Sequence, residues 1–361
     1  MTRRDFYAKI DVYTTKGGIA LDNKRVTIKD IANELGVSCA IINRALNNKP
    51  GVSKVLREKI LDAADRLGYR PNRIARGLAR LTMEIGIVIP SAWEGFYSFV
   101  EKGITEELDR LLDYNVHGSF YHVDNPYSSA NYVEKILSCI NDGVNGIIIA
   151  DCYHEGMDEV YTKLKESAIP TVTIGELPQK EIKAIASVCI DSYKSGQMAA
   201  QMLMLPLKEM DRVAVFIGSS GNVEHSLKAE GFKGEIKRLG GSFVGCFETG
   251  DKSECAEKLF YDLASESLDG IYLATSGSDS VIEAIVKNNL TTKIVATDIS
   301  DSVRQNITSS NLICTLFQDP EKQGRLAIRT LYDYLSENKL PGDRVILPPQ
   351  IIIPASLDSL E

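Results

Sequence analysis

Eleven lysines and arginines lie between Val26 and Arg80 against five acidic residues, in a chain of 361 residues whose formal net charge is −8. Ammonium and guanidinium groups at that density attract phosphate. An arginine such as Arg44 can also donate two parallel hydrogen bonds to one guanine edge, which is worth roughly 1–3 kcal/mol of base discrimination. The first 25 residues carry a further six basic and three acidic groups, so the chain from Leu81 onward holds 24 basic and 41 acidic residues. Positive charge is therefore confined to one end, and the acidic remainder should be repelled by nucleic acid.

A charge run alone describes any solvated helical surface, so the elements that position it decide its meaning. Thr27 can N-cap a helix whose apolar face is Ile28, Ile31, Ala32 and Leu35, and Gly36 follows where that helix must stop. Ser38 can cap a second helix with Ile41, Ile42, Ala45 and Leu46 on one side. Two helices joined by a short glycine turn form a helix-turn-helix unit. Ser53 opens a third helix, in which Val55, Leu56, Ile60, Ala63, Ala64 and Leu67 recur at helical spacing and can cover the first two, and Gly68 closes it. A basic helix-turn-helix block reads as a DNA-binding head.

Beyond the head, six short apolar runs alternate with amphipathic stretches of helical length: 85–90, 146–150, 171–174, 213–217, 270–273 and 293–296. Continuous apolar strands between helices indicate parallel sheets covered on both faces. About 280 residues exceed one typical core, so two α/β subdomains are expected, with a ligand site beyond the strands' carboxyl ends in the cleft between them.

Competing chemistry is sparse. Gly218-Ser219-Ser220-Gly221 follows an apolar run but lacks the Lys-Ser/Thr ending of a phosphate loop and the full dinucleotide fingerprint. The histidines, His117, His122, His154 and His225, show no metal-ligand spacing; His225 stands near a candidate ligand loop. Cys39, Cys139, Cys152, Cys189, Cys246, Cys255 and Cys314 include no Cys-x-x-Cys pair, and their odd number suits reduced thiols. No apolar run approaches the roughly 20 residues that span a bilayer, and the N-terminus lacks an apolar signal core. A cytoplasmic protein that is not an enzyme, without metal or cofactor and without membrane contact, is expected.

The strings VTIKDIANELGVS, NRALNNKPGVSKVLREKIL and LGYRPNRIARGL closely resemble the head of the lac repressor family of bacterial transcription regulators, and the resemblance extends through the chain after Val26. It implies a fold of an all-α helix-turn-helix head plus a two-subdomain α/β body of the type I periplasmic-binding-protein kind. The second helix would enter the major groove of double-stranded operator DNA. Cys39 and Ala40 match two base-facing positions and Arg44 a third; Asn43 stands where the family usually has serine, and Ile41 where it usually has a threonine able to reach phosphate. Ser38 and Asn47 are candidate phosphate binders, with helix capping as the rival role, and Thr27 is a further candidate DNA-binding residue. Tyr69 and Asn72 lead through Pro71 into a hinge helix too short to be stable alone. Arg73 and Ala75 match residues against the minor groove, and Leu78 matches a leucine that wedges between base pairs.

The same resemblance places Phe96 and Tyr97 against the apolar face of a ligand, expected to be a sugar or sugar phosphate, with subdomain core packing as their rival role. Asp298 and Gln318 match cleft residues that bond hydroxyls, and Ser278 and Asp279 lie at another matching cleft loop, with capping as the rival role. Lys228 replaces an arginine whose planar fork grips the ligand; a lysine cannot reproduce that fork, which makes a simple neutral sugar less certain. The expected organisation is an N-terminal extension, 1–25, expected to be disordered; a head, 26–71; a hinge, 72–82; and a body, 83–361. Within the body, the N-subdomain would take about 83–186 and 316–345, and the C-subdomain about 187–315 and 346–361. A homodimeric repressor controlled by a small effector follows, with a constitutive regulator bearing a vestigial cleft as the alternative. The C-terminal residues 354–361 carry no heptad run that would hold a tetramer.

Overall fold

The structure, a computed structural model, describes residues 26–46, 50–67, 82–91, 95–126, 128–150, 157–175, 184–265 and 267–357. They fall into two compact units that divide after Arg76. The extension 1–25 and nearly all of the hinge lie outside the described residues.

The first unit packs α1 (Ile28–Leu35), α2 (Cys39–Leu46) and α3 (Lys54–Arg66) around Ile31, Ala32, Ile42, Ala45, Ile60, Ala63 and Ala64. At the start of α1 the Asp30 carboxylate accepts from both the backbone N–H and the hydroxyl of Thr27, each at 2.7 Å. Gly36 ends the helix at φ 65°, a conformation that costs glycine nothing. Ser53 Oγ accepts from Leu56 N–H at 3.3 Å to start α3. Val55 departs from the sequence expectation, being 65% exposed. It shares its helical face with Lys59, Asp62 and Arg66, all exposed, about 100° away from the Leu56–Ile60–Ala63 stripe that meets the other helices.

The second unit holds two sheets with the same winding. In the first, β1 (Met83–Pro90), β2 (Val116–Val123), β3 (Gly146–Ala150), β4 (Thr171–Ile174), β5 (Ala184–Ile190) and β11 (Arg344–Leu347) run parallel in the order β2-β1-β3-β4-β5-β11. In the second, β6 (Arg212–Ile217), β7 (Ser242–Glu248), β8 (Gly270–Ala274), β9 (Lys293–Thr297) and β10 (Leu312–Phe317) repeat that order as β7-β6-β8-β9-β10, and β12 (Gln350–Ile352) adds an antiparallel edge. Helices α4 (Phe96–Leu111), α5 (Ser129–Asn141), α6 (Asp158–Ser167), α7 (Ser192–Met204), α8 (Val223–Arg238), α9 (Ser253–Ala264), α10 (Ser278–Lys287), α11 (Asp301–Asn306), α12 (Pro320–Glu337) and α13 (Pro354–Leu357) follow in chain order. Strands such as β3, with every residue buried, are covered on both faces.

The lobe boundaries fall later than the sequence reading placed them. Strand β5 stays in the first sheet as far as Ile190, because β4 and β11 pair with it on either side, so the first crossing is at Asp191 rather than between 186 and 187. Strand β10 holds the chain in the second lobe through Phe317, and β11 keeps it in the first through Leu347. The crossings are therefore at Asp191, at Gln318-Asp319 and at Pro348-Pro349.

Each lobe is backed by a helix pair in near backbone contact. In the second lobe α7 crosses α8, and a Cβ added at Gly231 would lie 2.0 Å from the carbonyl oxygen of Tyr193; one at Gly196 would lie 2.0 Å from that of Lys228. This crossing pins the backbone of Lys228. The first lobe repeats the device where α4 crosses α12.

Candidate functional site

On α2 the inward side is Ile42 and Ala45, which forces Cys39, Ala40, Asn43 and Arg44 to the surface, with Ser38 exposed just before them. These five predicted residues share one solvent-facing surface, while Ile41 packs partly into the head core. Ser38 Oγ accepts from Ile41 N–H at 3.4 Å, a capping contact that leaves its other lone pair outward. The other end of α2 is held by Arg57, whose Nη1 donates to the carbonyl oxygens of Ala45 at 2.8 Å and Arg44 at 3.4 Å, placing a cation at the negative helix terminus. Thr27 is exposed, with its hydroxyl given to Asp30. Asn47, Tyr69, Asn72, Arg73, Ala75 and Leu78 lie outside the described residues.

In the second unit a cleft of about 550 Å³ opens between the two sheets' carboxyl edges, and all seven predicted ligand residues line it. Phe96 and Tyr97 arrive on the first turn of α4, their rings edge to face at 5.1 Å between centroids. Facing them, three segments remote in sequence join in one hydrogen-bonded chain. Lys228 Nζ donates to Gln318 Oε1 at 3.1 Å, and Gln318 Nε2 donates to Asp298 Oδ2 at 2.5 Å. The Gln318 N–H reaches the other Asp298 oxygen at 3.1 Å. Asp298 follows β9 in the left-handed region, φ 61°, a strained conformation for an aspartate that turns its carboxylate across the crossing segment. Burial pushes that carboxyl above the usual range, opposed by Gln318 and the Lys228 charge.

Asp279 stands on the first turn of α10 and accepts from the Ser300 hydroxyl. Its carboxyl is also held above the usual range, first by burial and then by the neighbouring Glu283 and Asp301 charges. Ser278 is 4% exposed and its hydroxyl proton goes to the Thr275 carbonyl, so its capping role uses the proton and only lone pairs remain for the cleft. His225, which the sequence marks as an outlier, lines the same wall. Its Nδ1 accepts from Ser219 N–H at 3.2 Å, and burial, reinforced by the Lys228 charge, lowers its pKa to about 4. It is a neutral imidazole carrying its proton on Nε2.

The 218–221 loop is spent on itself. Ser219 N–H goes to His225, Gly221 N–H to Ser219 Oγ at 3.1 Å, and Asn222 Oδ1 caps α8. A Cβ at Gly218 would fall 2.1 Å from Asp251 Oδ2, so a carboxylate already covers the loop where a phosphate would sit. Asp251 is the main cleft residue that sequence reasoning misses. It accepts from Thr275 Oγ1 at 2.9 Å and from the Ser276 N–H at 3.1 Å and hydroxyl at 3.0 Å, stitching the loops after β7 and β8 together. The turn Glu248-Thr249-Gly250-Asp251 after an amphipathic strand is the signal that could locate it. Glu224, Arg304 and Phe317 also line the cleft without having been anticipated.

The second crossing is tied to the third. Asp319, at φ 52°, caps α12 through Lys322 N–H at 3.2 Å and accepts from Gln350 Nε2 at 3.2 Å. Gln323, buried on α12, donates to the Gln318 carbonyl at 2.8 Å. The residue that touches Lys228 and Asp298 in the cleft is thus also bonded to the first lobe's helix. Among the described residues no group of three His, Cys, Asp or Glu could hold a metal ion, and no helix is long and apolar enough to cross a membrane.

Comparison with known proteins agrees with both units. A model of the periplasmic binding protein domain matches residues 85–339, and one for bacterial regulatory proteins of the lacI family matches residues 27–72. Catabolite control protein A of Priestia megaterium is 28% identical over 349 residues, which cover 90% of this chain and 97% of that protein. Its namesake in Streptococcus mutans is 26% identical over 341 residues, 89% of this chain and 95% of that one. In fold, the chain is similar to the crystal structures of GanP, a glucose-galactose binding protein of Geobacillus stearothermophilus (TM-score 0.67, 18% identity, 77% of this chain and 99% of that one), and of a solute binding protein of Bacillus halodurans with bound myo-inositol (TM-score 0.68, 16% identity, 78% and 97%). A helix-turn-helix head, a twice-wound α/β body and these matches together make the chain a member of the lacI family of bacterial regulatory proteins, with a periplasmic-binding-protein domain as its body.

Proposed function

We propose that this regulator is a cytoplasmic homodimeric repressor whose affinity for operator DNA is set by a small polyhydroxylated effector bound between the body's two lobes. The observation that carries the reading is the Lys228–Gln318–Asp298 chain. It joins helix α8 to the ends of β9 and β10 on one cleft wall, faces an aromatic wall at Phe96 and Tyr97, and leaves carboxylate and amide oxygens in position to accept from hydroxyls. Sugar rings offer that pairing of an apolar face and hydroxyl edge, and structural neighbours of the body carry sugars or myo-inositol. Two heads on one pseudo-palindromic site supply selectivity that a single α2 lacks.

Regulation needs the effector to bind the DNA-competent and incompetent forms with different affinity, typically by about 1–3 kcal/mol. Gln318 supplies a route for that difference. An effector that displaces its amide from Asp298 or Lys228 also disturbs the crossing held by Asp319, Gln323 and Gln350. The lobe angle then changes, and with it the spacing at which a dimer presents residues 72–82.

The test is a mobility-shift titration of the full chain on DNA selected from a random-sequence pool, with and without a panel of sugars and cyclitols. A compound that moves the midpoint at least several-fold, with the effect abolished in Asp298→Asn, supports control by the cleft. Tight, sequence-selective binding that no compound alters at saturation would establish a constitutive regulator with a vestigial cleft.

A further inference from the structure

Doubly wound sheets provide anion sites by default, because the helices that follow the strands aim their N–H groups and positive dipole ends at the carboxyl edge. In the second lobe those positions are already filled by the chain itself. The first turns of α8, α9, α10 and α11 carry Glu224, Glu254, Asp279 and Asp301, and α12, which opens at the second crossing, carries Glu321. Added to Asp251 over the 218–221 loop, they set the chain's own carboxylates where this lobe would otherwise hold a phosphate; α4, whose first turn also lines the cleft from the first lobe, carries none.

The charge balance of the cavity agrees. Among the described residues, six carboxylates line it against two cations, Lys228 and Arg304. His225 is neutral. Glu321 is matched from outside by Lys102 at 2.7 Å and Arg325 at 3.4 Å, and Lys228 acts on Asp298 through Gln318. Asp279 is different. Its hydrogen-bond donor is the neutral Ser300 hydroxyl, its charged neighbours Glu283 and Asp301 have its own sign, and it is partly buried at the cavity wall. A carboxylate in that setting gains most from a cation supplied by a ligand. The opposite wall offers the rings of Phe96 and Phe99, and Phe317 flanks the site; aromatic faces also attract a cation within about 6 Å.

We infer that the effector is a polyol bearing a protonated amine, of the aminosugar class, with the ammonium group against Asp279 and its hydroxyls toward Asp298 and Gln318, and that phosphorylated or carboxylated sugars are excluded. This rests on the effector-controlled reading above and reverses the lean toward an anionic ligand that Lys228 suggests in the sequence. Lys228 is 4% exposed and already engaged with Gln318, so it serves the wall and does not stand free as an anion receptor.

The experiment is thermal melting of the full chain at pH 7 and fixed ionic strength. The probes are the gluco, galacto and manno series, each as the parent hexose, the 2-amino-2-deoxyhexose and the hexose 6-phosphate. The expected result is that in at least one series the amine stabilises with a midpoint about 10-fold or more below that of its parent, while the 6-phosphates produce no shift. In Asp279→Asn the amine and its parent should come within about twofold of each other. A parent hexose that binds as tightly as its amine, or a 6-phosphate that binds tightest, overturns the inference and leaves the effector reading standing. Silence from all of the probes overturns both.

Discussion

At the scale of single residues the two candidate surfaces differ in how they keep their groups available. On α2 the exposed face is poor in paired hydrogen-bonding groups: Cys39 and Ala40 offer apolar contact, and Arg44 is the one cation. In the cleft, polar groups are abundant and mutually bonded, and His225 is held neutral inside that network. Its pKa is about 4 against an ordinary 6.5, so the unfolded chain takes up a proton near pH 6.5 that the folded protein refuses until about pH 4. The sign follows from linkage: the stabilisation is fully present above pH 6.5 and is lost as pH falls through that interval, by up to about 3 kcal/mol. His225→Asn keeps an acceptor for Ser219 N–H but removes the titration. Urea denaturation of both proteins from pH 7 to pH 4 should show the shallower decline in the variant; parallel declines would mean that His225 is not held neutral. Comparing the two proteins cancels the contribution of Asp279 and Asp298, whose raised carboxyls act with the opposite sign.

At the scale of elements, the crossing of α7 and α8 explains why a glycine stands three residues after Lys228. The Cβ of Gly231→Ala would meet the Tyr193 carbonyl oxygen at 2.0 Å, which neither backbone can accommodate without separating the helices. The expected cost is about 3 kcal/mol, at the upper end of overpacking, together with a weaker response to the proposed effector because Lys228 moves with α8. On the same helix Gly234→Ala would place its methyl 3.7 Å from the Tyr193 hydroxyl and should stabilise by up to about 1 kcal/mol through helix propensity. Melting temperatures that shift alike for the two variants would refute the packing argument. The elements also show what a sequence makes legible. β1, β3, β4, β6, β8 and β9 announce themselves because central parallel strands are apolar on both faces. β2 and β7 stand at sheet edges and interleave His, Gly, Ser and Glu with apolar residues, so no continuous run marks them, and Asp251 goes unnoticed along with β7. The lobe crossings shift for a related reason: β5 is small and mixed, Ala184-Ile-Ala-Ser-Val-Cys-Ile190, and only its pairing with β4 and β11 shows which sheet owns it. The seven cleft residues are legible through family resemblance, since Lys228, Asp298 and Gln318 are up to 90 positions apart and nothing local says that they meet.

At the scale of the whole molecule, the division of charge sets how the protein finds DNA. The 55 residues from Val26 to Arg80 hold 11 basic and five acidic groups, while the chain from Leu81 onward holds 24 basic and 41 acidic. The acidic part contributes repulsion at every orientation that brings it toward a duplex, so productive encounters are those led by the head, and attraction there must come from phosphate neutralisation by few elements. If the proposed dimer engages two heads, roughly 6–10 phosphate contacts are expected, which corresponds to a loss of about 10³–10⁵ in affinity between about 50 and 200 mM salt. The apolar character of Cys39 and Ala40 sharpens the expectation: with few neutral hydrogen bonds to bases, the salt-sensitive share of the binding energy should be large and the specificity ratio modest. Fluorescence anisotropy of the full chain on its selected site and on a scrambled duplex, across that salt range, measures both. A log–log slope shallower than about −3, or equal slopes with a large specificity ratio at high salt, would mean that recognition rests on base contacts that the exposed face of α2 does not supply.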